Sequence, residues 1–227
     1  MSEKMPLIFL GHGSPMNAIE ENQYTESWKL LGKTLPQPRA ILILSAHWIT
    51  EGETHVSTAE HPEMIYDMYW FPPELYRVRY SAPGSVEIAG EILEMLSRKE
   101  HGLLRASQWQ EQETSEYIFR ADHRRGFDHG VWSTLIHLFP EADIPVITMS
   151  LDYSQWLDWH YDLGKKLSFL REQGILIVGS GNIVHNLWAL DWSGSSVYPW
   201  AEKFDNRMAH DIETRDHTDI LSALSWE

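Results

Sequence analysis

The chain has 227 residues, 43% hydrophobic with 11 Trp, which suits one large ordered domain or two small ones with a sizeable core. Its net charge of -15 argues against nucleic acid and anionic membrane as partners, because both repel an acidic surface. The absence of cysteine excludes disulfides, thiolate catalysis and cysteine-held zinc or iron–sulfur sites, so any metal must rest on His, Asp, Glu or backbone oxygen.

No long apolar segment precedes the first strand, so neither a signal peptide nor a membrane span is expected and a cytoplasmic location is the default. Pro6–Leu10 is a short apolar run, as in a strand buried on both faces. It enters Gly11-His12-Gly13-Ser14, a turn with a histidine between two glycines. Such a turn lets the backbone approach a ligand closely at the carboxyl end of a strand. Apolar spacing from Ile19 to Leu31 predicts a helix, with Gly32 as its stop. Ala40–Ala46 is a second buried-type strand and leads to His47-Trp48. Thr54–Thr58 reads as a short strand. Met64–Pro73 is an aromatic loop, read either as a wall for a flat ligand or as core packing.

Leu75–Tyr80 is read as a strand, and Ser85 as the N-cap of a helix through Leu96. Leu103–Ser107 has strand character, and 108–122 is polar and unassigned. His129 lies in the loop Gly126-Phe127-Asp128-His129-Gly130, followed by a helix over Val131–Phe139. Pro145–Leu151 is a further buried strand, and Trp156–Gln173 one long amphipathic helix. Gly174–Gly179 is the third histidine-bearing strand, running into Ser180-Gly181-Asn182-Ile183-Val184-His185. Trp200–His210 reads as helical. Strands alternate with helices without linker or repeat. The fold class is therefore α/β: a single domain, with a central largely parallel or mixed sheet flanked by helices.

If the three histidine-bearing strands are parallel neighbours, His12, His47 and His185 converge at one sheet edge, where His129 can join them. One histidine after one strand is commonly structural; three beside glycine or small residues favour a metal site. Imidazole suits both Fe(II) and Zn(II). Such a site serves either oxygen chemistry or hydrolysis through an activated water. The glycine turns lack a P-loop lysine and its spacing, and no Gly-x-Ser-x-Gly elbow is present.

The segments Gly11–Asn17, Ser45–Trp48, Tyr66-Asp67 leading to Phe71-Pro72, Tyr80 with Ala82–Ser85, Gly126–Gly130 and Ser180–Leu187 resemble the extradiol ring-cleavage dioxygenases of the 4,5-DOPA dioxygenase type. These belong to the class III, or protocatechuate 4,5-dioxygenase B-subunit, superfamily. The resemblance spans the chain from the first strand to Trp200. It implies a mononuclear Fe(II), often replaced by Zn(II) in purified material, and a catechol such as DOPA with O₂ as substrates. It implies His12 and His47 as metal ligands and His185 as a third ligand or as the acid/base. It also implies His129 as a second catalytic histidine. Two departures stand out. The family's last metal histidine, in a Pro-x-x-Glu-His segment, has no match, so residues 1–227 are expected to be a catalytic domain without the family's C-terminal segment. Met68, Tyr69 and Trp70 are bulkier than the family's Asp-Phe-x-Gly-Phe-Pro pattern. The alternatives are a zinc hydrolase on the same scaffold and a non-catalytic binding relative.

Overall fold

The computed structural model describes residues 4–98, 117–184, 189 and 197–223. The chain divides into two compact units, residues 1–181 and 182–227. The first holds a six-stranded sheet: β1 (Leu7–Gly11), β2 (Ala40–Thr50), β3 (Thr54–Ser57), β4 (Phe119–Asp122), β5 (Val146–Asp152) and β6 (Ile175–Gly181). Their spatial order is β1-β6-β2-β5-β3-β4. Every pairing is parallel except β3 with β5, so the sheet is mixed, as expected.

The helices are α1 (Gln23–Thr34), α2 (Val86–Ser97), α3 (His129–Leu138) and α4 (Leu157–Leu167), with α5 (Pro199–Thr214) and α6 (His217–Leu221) in the second unit. Strand alternation divides the core. Ile41 and Ile43 of β2 face Trp28 of α1 and Val131, Trp132 and Leu135 of α3. Ala40 and Leu42 face Ile88 and Ile92 of α2 and Leu163 and Leu167 of α4. In the second unit, Arg207 of α5 donates two hydrogen bonds to the Asp219 carboxylate of α6.

Four expectations need correcting. β1 is an edge strand with Leu7 and Phe9 more than half exposed, so its apolar run does not mean burial on both faces. Gly32 does not stop α1, which continues to Thr34. A Cβ at Gly32 would lie 2.2 Å from the Leu138 carbonyl oxygen, so the glycine is there to let α1 approach α3. Leu75–Arg77 forms a 3₁₀ turn instead of a strand. Trp156–Gln173 is α4 followed by a 3₁₀ segment over Ser168–Gln173, because the tighter turn still directs Leu170 into the core. The expected strand at Leu103–Ser107 lies outside the described residues. Ser85 caps α2 as expected, accepting from the Ile88 N–H.

Candidate metal centre

β1, β6 and β2 are adjacent and parallel, with Gly11 opposite Gly181 and Ser45 opposite Ser180. Their carboxyl ends therefore share one edge, where open α/β sheets bind ligands. The His12 N–H carries the β1–β6 ladder one step further, donating to Gly181 O at 3.0 Å. The chain then turns at Gly13, whose φ of +62° suits glycine. Asn17 holds this turn: its Nδ2 donates to His12 O at 2.9 Å. Asn17 is itself gripped by Asn22 Nδ2, at the N-cap of α1, and by the His137 Nε2–H of α3.

His47 projects from an irregular stretch of β2. Leu44 pairs with Met149 but Ile49 with Leu151, so β2 takes five residues where β5 takes two. Bulges of this kind re-aim side chains beside functional sites. His129 opens α3 instead of lying in a loop, and Asp128 stands at the helix N-cap position.

These placements bring His12, His47 and His129 together. One ligand nitrogen from each lies within 4.8 Å of the others, the three-histidine group found among the described residues. His12 is fully buried, His129 nearly so, and His47 partly open. His12 Nε2 lies 3.0 Å from His47 Nε2. His185 lies outside the described residues. His12 and His47 thus converge as the sequence implied, and His129 joins them.

The partners of these rings set their tautomers. Ser180 Oγ donates its proton to Gly130 O at 2.6 Å, so it accepts from His12 Nδ1–H at 2.9 Å. His12 Nε2 then carries no proton and can act only as an acceptor or ligand atom. Asp67 accepts from His129 Nδ1–H at 2.9 Å and from the His129 backbone N–H at 3.0 Å, which leaves His129 Nε2 as the other ring acceptor. The second Asp67 oxygen stands 3.6 Å from His47 Nδ1. Burial raises the Asp67 pKa, but the hydrogen bonds from His129 outweigh it, and the carboxyl stays below its ordinary range. If His47 turns its Nδ1–H to this carboxylate, two unprotonated Nε2 atoms face each other at 3.0 Å. A cation relieves that repulsion, so the donor set fits a divalent metal.

Sequence reasoning left Asp67, Ser180 and Gly130 without roles. Asp67 stood in a quoted motif, and its only further signal was a carboxylate in an otherwise aromatic loop. Gly130 is required by packing: a Cβ there would sit 2.5 Å from Ser45 Oγ and 3.2 Å from His47 Cδ2. The aromatic loop divides between its two readings. Met68 is buried and Tyr66 packs on the core, while Tyr69 and Trp70 stand out in solvent.

A strand-edge cluster of three imidazoles, with His12 held by a hydroxyl and His129 by a carboxylate, is placed to bind a metal. The family model for the catalytic LigB subunit of aromatic ring-opening dioxygenase matches residues 6–225, and the chain belongs to this family of dioxygenases. It is 46% identical over 205 residues to the 4,5-DOPA dioxygenase extradiol of Escherichia coli, a match covering 90% of this chain and 69% of that protein. It is 37% identical to the 4,5-DOPA dioxygenase extradiol of Beta vulgaris, over 88% of this chain and 69% of the relative. The crystal structure of an uncharacterized Escherichia coli K12 protein superposes with a TM-score of 0.71 at 40% identity, covering 91% of this chain and 72% of that one. By family the chain is an extradiol dioxygenase, an oxidoreductase.

Proposed function

We propose that the chain opens the ring of a catechol of the DOPA type with O₂, at a metal held by His12 and His47. Ferrous iron is the expected metal, and zinc is the one anticipated in purified material. His185 is retained from the sequence as third ligand or acid/base. A bound ferrous ion would supply the redox chemistry between catechol and O₂. Both atoms of O₂ enter the product, the bond beside the diol breaks, and a semialdehyde results, so no external reductant is consumed. The reaction is assigned to the cytoplasm; among the described residues no helix is long and apolar enough to cross a membrane.

The chain's own residues prepare the site. Ser180 and Asp67 hold ring protons on the Nδ1 atoms of His12 and His129. His129, backed by the Asp67 carboxylate, exchanges a proton through Nε2 and steadies charge developing on the substrate. The surrounding core keeps His12 dry, which strengthens each of these interactions.

The observation that carries this reading is the convergence of His12, His47 and His129, with the tautomers of His12 and His129 fixed by Ser180 and Asp67. The test is oxygen uptake after anaerobic loading with ferrous iron. DOPA should consume O₂ one for one and give a yellow product. An iron-loaded protein that binds DOPA yet consumes no O₂ refutes the proposal. Chelator-sensitive turnover that persists without O₂ would instead establish the hydrolase.

A further inference from the structure

We infer that Arg125 and Asp128 are positioning residues which hold the His47 peptide in place and fix its spacing from His129. The inference rests on the reading of the histidine cluster as a metal centre. It starts from the irregularity in β2. The pairing with β6 ends at Ser45 and that with β5 resumes at Ile49, so His47 belongs to neither ladder. A buried strand cannot leave such peptide groups unpartnered without cost. Side chains take over here, in a closed ring. The His47 N–H donates to Ser45 Oγ at 3.2 Å. The Ser45 hydroxyl donates to Asp128 Oδ1 at 2.6 Å. Arg125 Nη2 donates to Asp128 Oδ2 at 2.5 Å and reaches the His47 carbonyl at 3.4 Å. The circuit thus begins and ends on the same residue.

Two features make this more than a local ion pair. The Asp128 carboxylate is 1% exposed and the Arg125 side chain 18%, so the pair works at low dielectric, where its geometry is strongly preferred. The Arg125 guanidinium also lies over the Trp48 ring at 4.9 Å, so the residue after His47 is held by the same group. Asp128 meanwhile occupies the N-cap position of α3. Its carbonyl accepts from Val131 and Trp132, and its neighbour is His129. One residue therefore links the start of α3 to the irregular stretch of β2. Asp67 orients the histidine rings; Asp128 sets where the backbone beneath two of them lies.

The test uses Asp128→Asn, Ser45→Ala, Arg125→Met and Arg125→Lys, with Co(II) as the probe. The visible ligand-field band of Co(II) reports affinity and geometry without turnover. Asp128→Asn and Arg125→Met should weaken Co(II) binding by about 10–100-fold and shift the band, the scale seen when outer partners of metal ligands are removed. Ser45→Ala breaks the ring without leaving a buried charge and should give a smaller loss of the same sign. Arg125→Lys, which keeps the charge, should recover part of the Arg125→Met loss. The histidine ring resonances of the metal-free protein form a second, independent readout. In Asp128→Asn or Ser45→Ala, the His47 line should move or split while His12 stays. Wild-type band, affinity and His47 line in Ser45→Ala and Arg125→Met would overturn the inference. A wild type that takes up no Co(II), with His47 still perturbed in the variants, would sink the metal reading and leave the positioning role standing.

Discussion

Gly130→Ala adds one methyl group at the centre of the site, and the structure sets its sign. Gly130 is the second residue of α3, and glycine in a helix costs about 0.5–1 kcal/mol relative to alanine. On propensity alone the variant would be more stable. The added Cβ, however, would stand 2.5 Å from Ser45 Oγ, and 3.2 Å from both Asp128 Oδ1 and His47 Cδ2. Ser45 must turn away and give up its hydrogen bond to the Asp128 carboxylate. A bond to a charged group contributes about 1.5–3 kcal/mol. The lost hydrogen bond outweighs the propensity gain, so a net loss of about 0.5–2.5 kcal/mol is expected by difference. Metal affinity should fall by about 10–100-fold, because His47 is displaced as well. Urea denaturation with linear extrapolation measures the first quantity, and Co(II) titration the second. Gly90→Ala is the control: among the described residues, no atom outside its own stretch of helix lies within 4 Å of the added Cβ, so it should gain about 0.5–1 kcal/mol. A Gly130→Ala protein as stable as the control and unchanged in metal binding would refute the reasoning.

Gly32→Ala should destabilise by about 1–3 kcal/mol in the same assay, because its Cβ meets the Leu138 backbone, which cannot swing aside. Asp67→Asn removes the charge that His129 and His47 share; kcat should drop by about 10–100-fold with the urea midpoint barely moved, while an equal loss in stability would mean a folding role. Asp152 is buried, which raises its pKa, yet donors from Tyr117, Ser154 and Gly52 outweigh this and depress it. A depressed carboxyl stabilises fully above its unfolded pKa, near 3.8, and progressively less as pH falls through the folded-state value. Stability measured from pH 6 down to pH 2.5 should therefore drop less steeply in Asp152→Asn than in wild type; parallel curves would contradict this account.

Sequence pattern was most informative where physics is local or strictly periodic. Apolar runs ending in His12 and His47 marked β1 and β2, and the parallel, adjacent placement inferred for them with β6 is what the sheet contains. Ser85 was readable as a cap because capping depends on neighbours in the chain. What escaped depends on distant partners. Gly32 looks like a helix stop until Leu138, from another helix, is set against it. Leu7 and Phe9 carry no sign that their strand lies at an edge. Asp67 meets His129 across a separation of 62 residues, which no periodicity encodes. The 3₁₀ segment after α4 escaped because its leucines continue the same apolar side. His12, His47 and His129, which the structure brings together, were all singled out in the sequence, although the metal set expected there was His12, His47 and His185; the hydroxyl and carboxylate that orient His12 and His129 were not legible.

The aromatic loop is fastened on both sides of its tip, and most firmly before it. Ile65 N–H donates to Phe127 O, Trp132 Nε1–H donates to Ile65 O, and the Tyr66 hydroxyl donates to Val78 O. Asp67 follows these anchors immediately, whereas Tyr69 and Trp70 stand beyond them, with Trp70 fully exposed at a φ of +68°. Mutation can therefore explore the tip while the carboxylate beside His129 stays put. A lineage built this way can vary the tip of its loop without disturbing the carboxylate that backs His129.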